Sequence, residues 1–328
     1  AIYLDPDIQV FSELKEIPEH LQESNIALTP HTLHGIPRDD LRPSDKDIMS
    51  SGTFNLGFIA IKNSEQSYEF LNWWNTRLEF DCISDIENNL FTDQRWIDFV
   101  PSYFNCSIIR DYGYNVAYWN LHERALEQVG DNVLVNGQPL GFMHFSGYRP
   151  DKPWILSKYV ADKPRVTISQ QPVFKSLADR YGSGAQGFGW ESETSVEYGY
   201  SKVNQYFELN SNLRRKYRDQ VISASKGSDV YPPLPNDSVS SFARWIDGRT
   251  VESGRLSGAL FDIWKSRPDL QAAFPNATSS DAERYVGWAY EHGISEGVIS
   301  EGEIKIYFDD IADEEFEYGV ELVRDLGV

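Results

Sequence analysis

The chain has 328 residues with 30 basic and 50 acidic side chains, which gives a formal net charge of −20. The length allows two domains with separate cores, and the 41% apolar content is typical of a globular protein. The acidic excess argues against nucleic acid as a partner. No apolar run approaches the roughly 18 residues of a membrane span, so we expect a cytoplasmic protein, with peripheral attachment to the inner membrane as a second option.

The first predicted element is an apolar strand over residues 1–11 that carries Asp5 and Asp7. Alternate side chains of an extended strand share one face, so the two carboxylates are expected side by side. Such a pair suits a hard divalent cation, Mn²⁺ or Mg²⁺, that also holds a diphosphate. Acidic residues are also common in the turns that end strands. A phosphatase with an Asp nucleophile and an Asp acid is disfavoured by Gln9, because that class needs Thr or Val there.

Local patterns predict four further elements in the first half of the chain. Residues 17–49 are rich in Pro, His and Asp and are predicted as an irregular loop with short helices. The apolar run over 54–61 predicts a buried strand, and the spacing of apolar residues over 67–80 predicts a helix. A hairpin is predicted over 133–145, with its turn at Asn136-Gly137.

The segment 111–124 is dense in aromatic side chains and polar amides, including Asn115 and Trp119. This mixture is typical of sites where a ring stacks on a sugar face and amides bind its hydroxyls. The alternative is a loop whose aromatic residues anchor it to the core. Both interpretations stay open from the sequence.

His144 follows an apolar run, and Arg149 and Lys152 come shortly after it. A lone histidine in this position is more often structural than a ligand. With the acidic pair upstream, however, it could complete a three-ligand metal site. The two basic residues would then offer positive charge to a diphosphate.

The second half of the chain has a different character. Residues 181–200 are rich in glycine, and helical patterns dominate from about residue 201. The sequence G-x-G-x-x-G at 182–187 follows a predicted helix rather than a strand, so no dinucleotide site is predicted there. We therefore predict an α/β domain over 1–160 and a mainly α-helical domain over 161–328.

Four segments occur in an order that resembles the retaining glycosyltransferases of the glycogenin and bacterial lipopolysaccharide galactosyltransferase type. They are Tyr3-Leu4-Asp5-Pro6-Asp7, Phe54-Asn55-Leu56-Gly57, Asp93-Gln94, and His144-Phe145-Ser146-Gly147 with Lys152-Pro153-Trp154. The resemblance covers residues 1 to about 155. It implies a GT-A fold, a mixed sheet with flanking helices.

The resemblance also implies roles for individual residues. The implied ligands of Mn²⁺ or Mg²⁺ are Asp5, Asp7 and His144. The implied contacts to the donor sugar are Asn55 and Asp93, with Gln94 beside the anomeric carbon. Lys152 resembles the lysine that holds the diphosphate, but it lies further from Gly147 than the family pattern has it, so Arg149 is an alternative or a second contact.

A protein of this family would take a nucleotide-sugar donor and transfer the sugar, with retention, to a saccharide or glycolipid acceptor. The resemblance implies that an N-terminal portion carrying the base and ribose pocket is missing, or is supplied by a partner chain. We accordingly expect weak donor binding by the isolated chain. The alternative from another class is a non-enzymatic module that binds carbohydrate or protein.

Overall fold

The computed structural model describes residues 1–194, 196, 198–199, 201–202, 208–233 and 239–308. The chain divides into two compact units, Ala1–Ser195 and Val196–Val328. The boundary therefore lies later than the predicted one at residue 160. The first unit mixes strands and helices, as expected for an α/β fold.

The strands of the first unit are short. In chain order they are β1 (Ile2–Leu4), β2 (Ile8–Val10), β3 (Ile26–Pro30), β4 (Phe54–Ile61), β5 (Ser84–Asp85), β6 (Leu90–Phe91), β7 (Cys106–Ile108), β8 (Leu126–Val129), β9 (Asn132–Val135), β10 (Gln138–Pro139) and β11 (Phe142–His144). The α-helices are α1 (Glu16–Glu23), α2 (Asp45–Ser51), α3 (Glu65–Asp81), α4 (Val100–Tyr103), α5 (Pro172–Gly187) and α6 (Trp190–Thr194).

The main sheet has the strand order β1-β4-β3-β7. Strand β4 runs antiparallel to both of its neighbours, and β3 pairs with β7 in parallel. Seven of the eight β4 residues are buried, so the prediction of a buried strand over 54–61 is confirmed. The predicted helix over 67–80 is confirmed as α3, whose Phe70 packs against the sheet.

The first predicted strand is wrong as a single element. It breaks at Asp5-Pro6-Asp7 into β1, which pairs with β4, and β2, which pairs with β11. Pro6 has no backbone N–H and cannot continue a ladder, and a turn forms in which the Ile8 N–H donates to the Asp5 carbonyl at 3.0 Å. The two acids thus lie at a corner between two sheets.

Strand β3 was not expected, because it falls within the predicted irregular loop. All five of its residues are buried, and it lies inside the main sheet. The run is short and comes between helix α1 and a polar loop. Its pairing with β4 and β7 therefore depends on residues distant in sequence, which local patterns do not report.

The predicted hairpin is confirmed at its turn and corrected at its end. Asn136 and Gly137 have φ values of 51° and 83°, as a tight hairpin turn requires. Strand β10 ends at Pro139, however, and residues 142–144 pair with β2 instead of continuing the hairpin. This exchange of partners carries His144 toward the acidic corner.

Helix α5 explains why the first unit extends past residue 160. Its Phe174 and Leu177 belong to the same buried cluster as Phe145 and Tyr148. The ring of Tyr181 stacks on that of Phe145 at 4.2 Å between centroids. The glycines of 182–187 lie in the last turns of this helix.

The described part of the second unit is built on helices: α7 (Ser211–Ser225), α8 (Val239–Asp247), α9 (Gly258–Ser266), α10 (Pro268–Ala273), α11 (Ala282–Trp288) and α12 (Glu301–Phe308), with a π-helical turn at Ala289–Gly293. Its buried core includes Leu260 and Tyr285, and the Tyr285 hydroxyl donates to the Leu260 carbonyl. Among the described residues of the whole chain, none of the helices combines the length and apolar character needed to cross a bilayer.

Candidate metal centre

Strand pairing brings three separated side chains to one place. His144 lies opposite Ile8 in the β2–β11 ladder, and the Phe145 N–H donates to the Asp7 carbonyl at 2.9 Å. The His144 Nε2 atom is 2.9 Å from Asp7 Oδ1 and 3.7 Å from Asp5 Oδ2. One ligand atom from each residue falls within 4.8 Å of the other two. We call Asp5, Asp7 and His144 the triad.

Gly57 on strand β4 makes room for the imidazole of the triad. A Cβ atom at this position would lie 2.4 Å from His144 Cε1 and 2.6 Å from Nδ1. Separations this short are incompatible with van der Waals packing. The glycine in Phe54-Asn55-Leu56-Gly57 therefore has a packing role that the sequence alone did not reveal.

Asn55 fixes which nitrogen of His144 carries a proton. The Gly57 backbone N–H donates to Asn55 Oδ1 at 3.1 Å, so the oxygen of the amide faces this side. His144 Nδ1 lies 3.2 Å from the same oxygen and must donate to it. In the neutral imidazole the lone pair is then on Nε2, the atom that faces the carboxylates.

The triad therefore gathers electron-pair donors around a shared space. Two carboxylates and a bare Nε2 repel one another unless a proton or a metal ion lies between them. Burial alone would raise the pKa of Asp7, but when a proton lies on Nε2 the hydrogen bond and charge of His144 outweigh burial and hold the pKa of Asp7 below its usual value. An imidazole whose other N–H is held by a second residue is the usual arrangement of a histidine metal ligand.

Tyr3 orients the other carboxylate of the triad. Its hydroxyl donates to Asp5 Oδ1 at 2.7 Å. This hydrogen bond, with burial and nearby acids, raises the pKa of Tyr3 to about 12. The second oxygen, Oδ2, is the one that faces His144.

A second histidine supports Asn55 from behind. His31 is buried, and burial lowers its pKa to about 4, so the ring is neutral. Its Nδ1 lies 3.4 Å from the Thr53 carbonyl, and Asn55 Nδ2 lies 3.4 Å from its Nε2. Asn55 therefore donates a hydrogen bond to His31, and His31 donates in turn to the Thr53 carbonyl. These bonds keep the Asn55 oxygen directed at His144.

A cavity of about 480 Å³ adjoins the triad. This volume is within the usual range of small-molecule sites. Besides the triad, the residues that line it include His31, Arg42, Asp47, Ser50, Ser51, Asn55, Gln94, Tyr118, Trp119, Ser146 and Tyr159. The triad thus lies in the wall of a space large enough for a sugar phosphate.

Several residues predicted from the sequence meet at this cavity. Asn55, Gln94 and Trp119 line it, and the Trp119 ring makes an edge contact with His144 at 5.2 Å between centroids. Asn115 is fully buried behind the wall, where it donates to Asn55 Oδ1 and Thr29 Oγ1. Asn115 therefore supports Asn55 and is not in position to contact a sugar.

The carboxamide of Gln94 is occupied by the protein itself. Its Oε1 accepts from Asn55 Nδ2 and the Leu56 N–H, and its Nε2 donates to the Ser51 carbonyl. These bonds join strand β4 to helix α2. The residue lines the cavity, but both polar atoms already have partners, so its geometry is that of a wall residue rather than a nucleophile.

The structure does not bring three predicted residues to the cavity lining: Asp93, Arg149 and Lys152. Asp93 is half-buried beside Gln94, and its carbonyl accepts from the Trp74 indole. Arg149 is held in a two-point ion pair with Asp151, and Lys152 is exposed. Closeness in sequence to His144 therefore does not bring these two basic side chains into the cavity lining.

Sequence reasoning missed the charged pair of the cavity, Arg42 and Asp47. Both lie in the segment predicted to be an irregular loop. One signal was available, because Ser44 and Asp47 have the spacing of a capping box at the start of α2. The Arg42 contact has no such local signature.

Part of the chain is similar to two proteins of Bacillus subtilis. The chain is 30% identical over 149 residues to YfnF, an uncharacterized Bacillus subtilis protein. The matched residues are 45% of this chain and 49% of YfnF. It is 29% identical over 171 residues to a second uncharacterized protein of that bacterium, YfnD, covering 51% and 53%. The chain thus spans about half the length of these curated relatives. No family model matches it, and no solved structure matches it significantly.

Proposed function

We propose that the chain is a metal-dependent glycosyltransferase with a GT-A-like fold. It would move a sugar from a nucleotide-sugar donor to a saccharide or glycolipid acceptor, with retention, in the cytoplasm. The observation that carries the proposal is the convergence of the Asp5 and Asp7 oxygens with His144 Nε2 beside a cavity. The order of motifs along the chain adds the resemblance to retaining glycosyltransferases.

The donor set indicates which ion the triad would hold. Mg²⁺ prefers an octahedron of oxygen ligands and usually keeps several waters. Mn²⁺ accepts both carboxylate oxygen and imidazole nitrogen. We therefore expect Mn²⁺ to bind more tightly than Mg²⁺.

The proposed chemistry requires a diphosphate to leave while the sugar stays in the cavity. When bound, the cation would supply Lewis-acid stabilisation of the negative charge on the departing group. Trp119 and the two tyrosines of the lining would exclude water from the sugar. A strong protein base is unnecessary if the departing phosphate oxygen takes the acceptor proton on the same face, which is compatible with retention.

Metal binding provides the first test. Titration calorimetry should show saturable Mn²⁺ binding by the wild-type chain and none by Asp7→Ala, because the triad loses one of its two carboxylates. Asp151→Ala is the matched control, since this acid belongs to the same unit but does not line the cavity. Equal Mn²⁺ binding by Asp7→Ala and wild type would remove the proposed site.

Catalysis provides the second test and separates an enzyme from a binding module. Phosphorus NMR would follow Mn²⁺-dependent hydrolysis of UDP-, GDP- and CDP-sugars by the wild-type chain. We expect one of them to be hydrolysed, with loss of this activity in His144→Ala. Metal binding without turnover of any donor would favour the non-enzymatic alternative.

A further inference from the structure

The cavity contains an ion pair that the triad does not use. Arg42 Nη2 lies 2.9 Å from Asp47 Oδ1, and both residues line the same space as Asp5, Asp7 and His144. The two side chains are partly exposed, at 46% and 31%. They can therefore contact a molecule that enters the cavity.

The Asp47 carboxylate is fixed by the start of helix α2. Its Oδ2 accepts from the Ser44 N–H at 2.8 Å and from the Ser44 hydroxyl at 2.9 Å. Only Oδ1 is left to face Arg42. The acid is consequently held in one orientation before any ligand arrives.

The loop that carries Arg42 is held by a second arginine. The Arg165 side chain is 6% exposed, and its guanidinium makes two hydrogen bonds to Asp39. It also donates to loop carbonyls, those of Pro37, Leu41 and Pro43. The Arg42 N–H donates to the Lys163 carbonyl at 2.9 Å, and the Arg165 N–H donates to the Arg42 carbonyl at 2.7 Å. The ion pair is thus part of a preformed wall.

The charge balance of the cavity decides what this wall can recognise. Among the described lining residues, Arg42 is the one arginine or lysine, and Asp47 already neutralises it. His31 is neutral, as argued above. A sugar carboxylate would meet Asp47 and find no basic side chain outside an ion pair, whereas neutral hydroxyls could donate to Asp47 and accept from Arg42.

We propose that the Arg42–Asp47 pair is the specificity-determining element of this cavity, binding adjacent hydroxyls of an uncharged hexose and rejecting sugars that carry a carboxylate. The inference rests on the proposed function, since it concerns the sugar whose phosphate would lie at the triad. It goes further by assigning the chemical class of that sugar. The selection is partly repulsive, because Asp47 disfavours the acidic competitor.

Sugar 1-phosphates test this without knowledge of the nucleotide. Calorimetry with saturating Mn²⁺ would compare α-D-glucose 1-phosphate with α-D-glucuronic acid 1-phosphate, and the two galacto counterparts. For the wild-type chain we expect the preferred hexose phosphate to bind about tenfold more tightly than its uronate, or better. Pyrophosphate in the same titration reports on the triad alone.

Two variants of the pair should change the selection in different ways. Asp47→Asn keeps an oxygen acceptor for Ser44 and frees the Arg42 guanidinium. The preference for the hexose phosphate over its uronate should therefore fall below about threefold, mainly because the uronate binds more tightly. Arg42→Gln should weaken the hexose phosphate without improving the uronate. Asp151→Asn breaks a similar arginine pair away from the cavity and should leave the ratio unchanged.

The outcomes separate this inference from the proposed function. Absence of Mn²⁺-dependent pyrophosphate binding would remove the proposed function, and the inference with it. If pyrophosphate binds, the inference alone is overturned by any of three results: equal binding of hexose and uronate, binding of neither, or the same ratio in Asp47→Asn as in wild type.

Discussion

The triad of the first unit and Glu303 of the second unit are both acidic sites, and they differ in burial and in what surrounds them, since the Asp5 and Asp7 side chains are 33% and 39% exposed. Glu303 is 1% exposed, and its Oε2 accepts from the Ser300 N–H, the Ser300 hydroxyl and Asn210 Nδ2, at 2.8 to 2.9 Å. The space shared by the triad is faced by two carboxylates and a nitrogen whose lone pair points the same way.

A structural acid and a metal ligand differ in where their hydrogen-bond donors lie. At Glu303 two of the three donors belong to Ser300 at the start of helix α12, in the spacing of a capping box, and the third is Asn210, so the acid belongs to the fold. At the triad, Tyr3 donates to Asp5 Oδ1, the oxygen that does not face His144, and His144 Nδ1 donates to Asn55, so neither donor is directed into the space shared by the triad. What is missing there is positive charge, which a bound cation would supply.

The comparison predicts its largest effect on stability at Glu303. Burial raises the pKa of this carboxyl from 4.5 to about 7. The folded second unit therefore binds the proton more tightly than the unfolded chain does, and its free energy of unfolding falls as pH rises from 4.5 to about 7. The loss should be on the order of 3 kcal/mol, at about 1.4 kcal/mol for each pKa unit.

Denaturant unfolding at pH 5 and pH 8 checks this prediction. Glu303→Gln keeps an oxygen acceptor but cannot titrate. The fall in the free energy of unfolding between the two pH values should therefore be smaller in this variant by about 3 kcal/mol. Glu301→Gln, an exposed position in the same helix, is the control. Identical pH profiles for Glu303→Gln and wild type would show that the acid is not held as described.

The second prediction concerns the space that Gly57 leaves for His144. Gly57→Ala should displace the imidazole, because the added Cβ would lie 2.4 Å from its Cε1. Overpacking of this kind costs about 1–3 kcal/mol in the free energy of unfolding. Mn²⁺ affinity should fall as well, by about tenfold or more, because the ligand geometry changes.

Calorimetry and thermal unfolding of the Gly57→Ala variant would measure both effects. The control is Gly184→Ala in helix α5, where a Cβ meets nothing within 4 Å. There alanine should be neutral or stabilising by up to about 1 kcal/mol. Unchanged Mn²⁺ affinity in Gly57→Ala would contradict the packing argument.

The smallest predicted effect is that of the supporting histidine. His31→Phe keeps a ring against Trp119 but removes one of the two acceptors of the Asn55 amide, leaving Gln94 Oε1 as the other. We expect Mn²⁺ affinity to fall by about tenfold. The long-range ¹⁵N spectrum should also show less of the His144 tautomer that carries its proton on Nδ1.

His34→Phe is the matched control, because His34 is exposed and bonds to Tyr112 away from the cavity. A purely structural role for His31 would lower stability without moving the tautomer signal of His144. That result would limit the positioning role to Asn55 itself.

Local signals predicted the elements that local forces decide. Strand β4, helix α3 and the turn at Asn136-Gly137 follow from apolar spacing and from turn chemistry. Strand β3 depends on pairing with distant segments, and a pattern of about ten residues contains no information on those partners. The break in the first strand has a local signal, the missing backbone N–H of Pro6, which the prediction of a single strand did not use.

The candidate site likewise contains residues that the sequence could nominate and residues that only the fold brings to the cavity. Residue type and motif order were enough to nominate Asp5, Asp7 and His144, although their meeting depends on the β2–β11 ladder. Arg149 and Lys152 were nominated because they follow His144 in sequence, but neither side chain lines the cavity. Arg42 reaches the cavity through a loop held by Arg165, which no local pattern indicates.

The most direct measurement is X-ray diffraction at the manganese absorption edge from crystals grown with Mn²⁺. A single anomalous peak is predicted in the first unit, within bonding distance of Asp5, Asp7 and His144 Nε2, with Nδ1 still donating to Asn55. A crystal saturated with Mn²⁺ that shows no peak there, and in which Nε2 remains hydrogen-bonded to Asp7, would contradict the assignment of this site to a metal ion.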